Sequence, residues 1–373
     1  MQQRFDVISE LLAGAQVTAL ARKYGVSRKT IYKWRDRHAA EGLAGLANRS
    51  RRPQRCPNQT AQATAEQVVA LRKQYPHWGS RKLHVLLQNQ REDGIPCERT
   101  MHRILVREGL VEPRTEPPPE PQRFEREQPN ELWQLDFKSP LYLYTKPLQT
   151  RLAPLTVLDD RSRFLLGLTA LPNQQLASLW PALWDVFGCY GLPEAILTDN
   201  ANGLFRSHRG GVTSFTMRLW RLNIRHLHGR PHHPQTQGKV ERLHRTLDVE
   251  TLKGRRYETL EAARQALEHF RQQYNHERPH EALGFKLPRD CYEPSLRPRP
   301  DELPQMQYAP GAKLRHVGRS GTISLRNCRV RVGEGLAGQQ VQLLDQDPEL
   351  VICYGQFEVR RLLWQDLSGG KWL

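Results

Sequence analysis

The stretch H-P-Q-T-Q-G-K-V-E-R-L-H-R-T-L, from His233 to Leu247, is the most specific motif in this chain. Its first part holds proline and glycine, which favour a loop, and its second part places Val240, Leu243 and Leu247 at helical spacing. Glu241 therefore lies at the start of a helix. A single acid at that position often only interacts favourably with the helix dipole. Whether Glu241 has a chemical role therefore depends on which other acids the fold places beside it.

Two more acids lie on apolar strands. Asp136 is inside W-Q-L-D-F, residues 133–137, where a charge is costly unless it is paired or bound to a metal. Asp199 directly follows the apolar run A-I-L-T, and sheets of the α/β type expose ligands at the carboxyl ends of their strands. If both acids converge with Glu241, they form the oxygen-rich cluster that Mg²⁺ prefers. Two Mg²⁺ ions in such a cluster, with Mn²⁺ as a substitute, would activate an attacking oxygen and stabilise the leaving one, as attack on a phosphodiester requires.

Residues 130–293 are predicted to form a core of the α/β type. From residue 131 strand-like runs alternate with helical runs, and this order favours a mixed sheet with helices on both faces. The neighbouring acids of V-L-D-D-R-S-R also look like metal ligands. A turn role is favoured for them, with Asp160 capping beside Arg161 and Ser162.

The N-terminal residues 1–48 have the pattern of a helix-turn-helix. Gly25 breaks the run V-T-A-L-A-R-K-Y, and Ser27 is placed to cap the helix that follows. A small helical hairpin for protein contacts is the alternative. If the second helix enters a DNA groove, the predicted DNA contacts on it are Arg28, Lys29, Lys33 and Arg35. Residues 49–61 form a basic linker in which Arg51 and Arg52 are expected to contact phosphates.

Residues 62–112 are predicted to form a second helix-turn-helix, with Arg99, Thr100 and Arg103 as predicted DNA contacts on its third helix. Proline and glutamate mark residues 113–129 as a linker, and residues 294–306 are predicted to be another. The end of the chain, residues 307–373, contains six short β-rich runs separated by turn residues. A small β-barrel of the SH3-like kind is predicted there.

Composition favours a nucleic-acid partner. The net charge is +17 over 373 residues, and the pI is near 9.9. No apolar run approaches the roughly 20 residues that span a bilayer, so no membrane is expected as a partner. The expected location is the cytoplasm, with the bacterial nucleoid. The six cysteines form no C-x-x-C pair, and we expect them to be reduced.

Basic residues surround Glu241 on its predicted helix. Lys239, Arg242, His244 and Arg245 are predicted to contact DNA, and the alternative is a solvated face with an i,i+4 pair between Glu241 and Arg245. Four histidines of R-H-L-H-G-R-P-H-H-P precede them. Their spacing on a loop with proline fits no standard zinc site, and His232 and His233 are more plausibly near DNA.

These motifs together resemble the core of DDE insertion-sequence transposases, which is similar to the catalytic domain of retroviral integrases. The resemblance rests on W-Q-L-D-F-K, V-L-D-D-R-S-R-F, T-D-N and residues 233–247, followed by Y-N-H-E-R-P-H-E-A-L-G from Tyr274 to Gly284. It extends over essentially the whole chain. It implies a ribonuclease-H-like core in which Asp136, Asp199 and Glu241 are the metal-binding triad.

The resemblance also implies an activity. Such a protein binds the terminal inverted repeats of a mobile element as a dimer or higher homo-oligomer on double-stranded DNA. Water attacks first and frees 3′-hydroxyl ends. Those ends then join target DNA by transesterification, without a covalent protein–DNA intermediate.

Two features depart from the family pattern. The usual D-N-G is Asp199-Asn200-Ala201 here, with Gly203 displaced by two positions. The separation of Asp199 and Glu241, with 41 residues between them, is longer than is typical of the family. The extra length falls around S-H-R-G-G-V-T-S-F, residues 207–215, and its glycines predict a surface loop.

Two alternatives to an autonomous transposase stay open. One is a catalytically silent DNA-binding regulator or end-binding factor derived from a transposase. The other is a transposase whose target choice needs an accessory ATPase. The chain has no G-x-x-x-x-G-K-[ST] loop of its own, so a separate protein would supply ATP hydrolysis.

Overall fold

A computed structural model describes residues 2–48, 60–90, 94–111, 125–144, 149–200, 203–229 and 238–367. The predicted contacts Arg51, Arg52, His232 and His233 lie outside these residues. The chain divides into two compact units, residues 1–61 and 62–373. No helix within the described ranges is both long and apolar enough to span a membrane. Five cysteines that the structure describes are free thiols: Cys97, Cys189, Cys291, Cys328 and Cys353.

The first unit is a compact set of three helices, α1 (Gln2–Leu12), α2 (Val17–Tyr24) and α3 (Arg28–Glu41), closed by a 3₁₀ turn at Gly42–Leu46. Val7, Leu20 and Ile31 form its buried centre. The turn between α2 and α3 follows the sequence prediction. Gly25 has a left-handed φ of 63°, and the Ser27 hydroxyl accepts a hydrogen bond of 3.1 Å from the Thr30 amide.

The second unit begins with three further helices, α4 (Gln62–Gln74), α5 (Ser80–Asn89) and α6 (Glu98–Arg107). The apolar face of α6 is buried. Met101, Ile104 and Leu105 pack there against Trp78 and Leu83.

A six-stranded mixed sheet follows, as the alternating pattern predicts. Its strands are β1 (Trp133–Phe137), β2 (Leu141–Tyr144), β3 (Gln149–Asp159), β4 (Leu165–Leu171), β5 (Ala195–Thr198) and β6 (Arg225–His228). β3 pairs antiparallel with β1, β2 and β4, whereas β1, β5 and β6 run parallel to one another. The sequence analysis missed β2, a run of only four residues.

Helices cover both faces of this sheet. α7 (Leu176–Tyr190) and α8 (Ser214–Arg221) pack on one face, and α9 (Gly238–Leu247) and α10 (Leu260–His276) pack on the other. The motif that begins at Tyr274 fastens α10 to the sheet. Asn275 is fully buried and forms two hydrogen bonds, of 2.8 and 3.0 Å, with the backbone of Leu165.

The predicted C-terminal barrel is not confirmed. All six predicted strands form: β7 (Leu314–His316), β8 (Thr322–Leu325), β9 (Cys328–Arg331), β10 (Gln340–Gln346), β11 (Glu349–Tyr354) and β12 (Phe357–Leu363). They make two open sheets over the described residues, one in the order β12-β11-β10-β7 and one hairpin of β8 and β9. The barrel does not close because β8 and β9 pair only with each other. A shared apolar core joins the two sheets instead.

The interpretation of residues 207–215 as a surface loop is wrong for their second half. The Val212 amide donates to the Val332 carbonyl, and the Gly335 amide donates to the Val212 carbonyl, each at 2.9 Å. Trp220 on α8 stacks on Phe357, with ring centroids 5.0 Å apart. This seam between residues 211–221 and the C-terminal sheets buries Val212 in their core. The seam is not predictable from local sequence patterns, because the partner residues Val332, Gly335 and Phe357 come more than a hundred residues later.

Close backbone packing at the seam predicts the effect of a single methyl group. A Cβ at Gly335 would lie 2.0 Å from the Thr213 carbonyl carbon, whereas one at Gly318 would meet only the Thr322 carbonyl oxygen at 3.5 Å. We expect Gly335→Ala to lower the free energy of unfolding by about 1–3 kcal/mol, the usual cost of overpacking. The matched variant Gly318→Ala should change it by less than about 0.5 kcal/mol. Urea unfolding measures both, and equal effects would contradict the seam.

Candidate active site

The parallel register of β1 and β5 brings the first two acids together. Trp133 pairs with Ile196 and Gln134 with Leu197. The same offset carries the register to Asp136 and Asp199, at the carboxyl ends of two strands that lie about 4.8 Å apart. This edge of the sheet is the one where the sequence predicts ligands.

Like charges surround Asp136. Its side chain is 19% exposed, and its Oδ1 accepts a 2.8 Å hydrogen bond from the Phe137 amide. The pKa of Asp136 is raised to about 7, mainly by burial, next by the charge of Asp199 and to a smaller extent by Glu241. The Phe137 amide opposes these effects only in part. The three predicted acids therefore lie within electrostatic reach of one another.

Two anchors hold Glu241 over the sheet, because it lies between them on α9. The Lys239 ammonium is 2.7 Å from a carboxylate oxygen of the fully buried Asp160. The His244 Nε2 lies 3.0 Å from the Thr156 hydroxyl on β3. Glu241 itself is 47% exposed, and its carboxylate is 4.0 Å from Arg245.

The acids are near one another without forming a closed ligand shell. Among the described residues, no three side chains of the types Asp, Glu, His and Cys are gathered closely enough to hold a metal ion. α9 begins at Gly238, directly after residues 230–237, which lie outside the described ranges. Asp136 and Asp199 are fixed by paired strands, whereas Glu241 is in the first turn of its helix.

The two neighbouring acids of V-L-D-D-R-S-R have separate roles. Asp159 makes the turn, because its carboxylate accepts from the amide and the hydroxyl of Ser162 at 2.7 and 2.6 Å. The prediction that Asp160 caps this turn is therefore wrong. Asp160 instead accepts from Gln134 at 2.7 Å and binds Lys239. The doubled acid thus closes the β3–β4 turn and anchors α9.

His244 contacts Asp136 without making an ion pair. Its Nδ1 lies 3.9 Å from an Asp136 oxygen. Burial and, to a smaller extent, the charge of Lys138 lower the pKa of His244 to about 4, so the ring is neutral at pH 7. The positive charge of Lys138 is itself compensated by Asp248 at 2.6 Å.

The predicted DNA-contact residues fall into two groups. Exposed side chains are those of Arg28, Lys29, Lys33 and Arg35 on α3, Arg99 and Arg103 on α6, and Arg242 and Arg245 on α9. Partly or mostly buried ones are Thr100, Lys239 and His244. Lys239 and His244 are engaged with the sheet, so the anchoring role was missed from sequence. Their partners Asp160 and Thr156 lie some 80 residues earlier, and no spacing connects them.

Comparison with known proteins gives consistent family matches. Residues 126–234 and 222–288 match models described as "Integrase core domain". Residues 3–54 match a "Helix-turn-helix domain" model, and residues 30–105 match a "Homeodomain-like domain" model. The two integrase matches together contain all three predicted acids.

Two relatives and one solved structure are similar to this chain. The chain is 26% identical over 366 residues to "Putative transposase y4bF" of Sinorhizobium fredii, covering 91% of this chain and 75% of that protein. It is 26% identical over 251 residues to a 39.2 kDa protein of insertion element IS476 from Xanthomonas euvesicatoria, covering 65% of this chain and 68% of that protein. The catalytic core domain of BIV integrase is 22% identical, covers 44% of this chain and 93% of that chain, and gives a TM-score of 0.33. The chain therefore matches helix-turn-helix models in its N-terminal part and integrase-core models after them, and it is similar over most of its length to a protein described as a transposase.

The anchor of α9 predicts a measurable loss of stability. We expect Asp160→Asn to lower the free energy of unfolding by about 3–5 kcal/mol, because it leaves a mostly buried ammonium without its countercharge. Asp185→Asn on the exposed side of α7 is the matched control and should change it by less than about 0.5 kcal/mol. Chemical unfolding followed by circular dichroism compares the two. Equal stability of both variants would show that Lys239 does not depend on Asp160.

Proposed function

We propose that this protein is an active DNA transposase. It binds the terminal inverted repeats of a mobile element, hydrolyses a phosphodiester to free 3′-hydroxyl ends, and joins those ends to target DNA. Asp136, Asp199 and Glu241 are the proposed catalytic residues and metal ligands. The observation that carries the proposal is the placement of Asp136 beside Asp199 on parallel strand ends, with Glu241 close enough to raise the pKa of Asp136.

The donor set fits a hard divalent cation. Burial raises the pKa of Asp136 most, and the charges of Asp199 and Glu241 raise it as well, so a bound cation would favour the ionised carboxylate by offsetting both effects. Carboxylate oxygens suit Mg²⁺ and Mn²⁺. Asp136 and Asp199 would hold the cation from the rigid strands, and Glu241 would complete the set from α9. When bound, a pair of such ions activates the attacking oxygen and stabilises the leaving oxygen.

The chain's own residues position the substrate around this edge. Arg242 and Arg245 on the exposed side of α9 are proposed to bind phosphates next to the scissile bond. A shallow cavity of about 370 Å³ opens beside the end of β1 and is lined in part by Tyr142, Tyr144 and Arg255. Exposed tyrosines beside arginine and lysine suit the stacking and charge of a DNA strand.

The helix-turn-helix domains are proposed to recognise the element ends. On α3 the basic residues Arg28, Lys29, Lys33 and Arg35 are all exposed, whereas Ile31 on the same helix is buried. Assembly of two or more protomers would bring both ends to one target. A partner ATPase is an open part of this proposal, as is location at the nucleoid.

The acids give the first test of the proposed function. With labelled DNA from the ends of its own element, the wild-type protein should nick and join strands in Mg²⁺ and do neither in EDTA. Asp136→Asn, Asp199→Asn and Glu241→Gln should each lower joining by at least about a thousandfold while leaving end binding intact, since each removes a charged ligand. The control Asp185→Asn should keep full activity.

Two outcomes would overturn this assignment. Full joining by a triad variant would remove that acid from the site. Tight and specific end binding by the wild-type protein, without cleavage in Mg²⁺ or Mn²⁺ and with a neighbouring ATPase supplied, would favour the catalytically silent DNA-binding factor.

The exposed surface of α3 gives a second test, in which two variants should change DNA affinity in opposite directions. Replacing Arg28 and Lys33 by alanine should weaken end binding and reduce the dependence of log K on log salt by about two, one for each lost phosphate contact. Asp36 lies on the same exposed surface, 2.9 Å from Arg35. Asp36→Asn should therefore strengthen binding, because it removes a negative charge. Fluorescence anisotropy over a salt series measures both changes, and an unchanged salt slope would exclude α3 from the DNA surface.

A further inference from the structure

A continuous hydrogen-bonded chain leads from the seam with the C-terminal sheets to the backbone of Asp199. The Thr213 and Thr216 hydroxyls are 3.0 Å apart, and the Thr216 hydroxyl lies 2.7 Å from Nδ1 of His226. On the other side of the ring, Nε2 of His226 lies 2.9 Å from the Thr198 hydroxyl. That hydroxyl donates to the Asp199 carbonyl at 3.0 Å.

The hydrogens in this chain have only one consistent arrangement. The single Thr198 hydrogen goes to the Asp199 carbonyl, so the Thr198 oxygen must accept from His226 Nε2–H. In a neutral ring Nδ1 is then the acceptor, and the Thr216 hydroxyl donates to it. The Thr213 hydroxyl can in turn donate to Thr216, because its own oxygen already accepts from the Thr216 amide at 3.2 Å. Every donor points towards its neighbour without conflict.

The surroundings keep the His226 ring neutral and fixed. Phe215 packs edge-on against it at 5.2 Å and Phe205 at 6.4 Å between ring centroids. Burial lowers the pKa of His226 to about 3, and the nearby His228 ring, 4.3 Å away, contributes to that shift. His228 also forms a hydrogen bond with the Asp199 backbone. The backbone that carries the second acid is thus held by two histidines of β6.

The end of the hydrogen-bonded series that lies farther from Asp199, at Thr213, is part of the seam. Thr213 is the N-cap of α8, and the residue before it, Val212, pairs in both directions with the C-terminal sheets. Gly335 packs directly on the Thr213 backbone, where a Cβ would come within 2.0 Å. The packing of the C-terminal sheets therefore fixes Thr213, the first residue of the hydrogen-bonded series.

We propose that His226, locked as its Nε2–H tautomer between Thr216 and Thr198, is a positioning residue that sets the orientation of Asp199. This proposal rests on the proposed function, in which Asp199 is a metal ligand. It gives the C-terminal sheets and residues 211–213 a role in the active site that they never touch. The relay of hydroxyls and ring acts through the Asp199 backbone and contributes no group to the reaction itself.

Substitutions at Thr216 separate the hydrogen bond from packing. Thr216→Val keeps the shape and removes the hydroxyl, whereas Thr216→Ser keeps the hydroxyl and removes the methyl. Binding of Mn²⁺ to the full chain without DNA can be measured from the electron paramagnetic resonance signal of free Mn²⁺. We expect Thr216→Val to bind Mn²⁺ about tenfold more weakly than the wild-type chain, as is usual when a hydrogen-bond partner behind a metal ligand is lost. Thr216→Ser should bind within about twofold of wild type. Wild-type affinity in Thr216→Val, or equal loss in both variants, would overturn the relay.

Asp199→Asn distinguishes failure of the relay from failure of the metal site. If this variant binds Mn²⁺ as tightly as the wild-type chain, the metal site is wrong and the positioning role falls with it. If Asp199→Asn loses binding and Thr216→Val keeps it, only the relay is wrong.

The tautomer can be tested in the metal-free protein. In the full chain labelled with ¹⁵N-histidine, the His226 signals, identified by their loss in His226→Gln, should show a protonated Nε2 and an unprotonated Nδ1 at pH 7. Thr216→Val should change these signals, because Nδ1 loses its donor. A protonated Nδ1 in the wild-type chain would contradict the hydrogen-bond order on which the relay depends.

Discussion

The parallel pairing of β1 with β5 is the constraint on which the candidate active site depends. It fixes which residue of one strand stands beside which residue of the other, and a shift of one residue would turn Asp136 or Asp199 to the opposite face. Antiparallel pairing of β1 with β3 adds a second restraint, since it places Thr156 opposite Asp136. The resulting concentration of negative charge is unfavourable in the protein alone. Its persistence at a sheet edge is the main physical argument for a cation-binding role.

The support around this edge has a recurring form. Asp136 lies near a threonine–histidine pair, Thr156 and His244, and Asp199 lies near another, Thr198 and His226. Both rings have depressed pKa values and are neutral at pH 7, so they orient the site without adding positive charge that would compete with a metal. A buried lysine–aspartate pair holds the helix that carries Glu241.

Much of this organisation could be predicted from the sequence. Helical spacing, a glycine turn and the Ser27 cap were sufficient for the first helix-turn-helix, because these signals are local. The strand that carries Asp136 was equally clear from its apolar run. Local signals failed for β2, which has only four residues, and for barrel closure, which depends on pairing between distant strands. They also failed for Val212, whose partners on Val332 and Gly335 come from the end of the chain. Lys239 and His244 looked like surface contacts because the sequence does not show which buried groups face a helix.

Asp136 and Asp199 are proposed to bind a divalent cation together at the carboxyl ends of β1 and β5. The most direct measurement is anomalous diffraction from crystals of the full chain grown or soaked with Mn²⁺. We expect an anomalous peak at about 2.0–2.2 Å from carboxylate oxygens of both Asp136 and Asp199. A peak elsewhere, or no peak at Mn²⁺ concentrations at which the protein joins DNA strands, would contradict it.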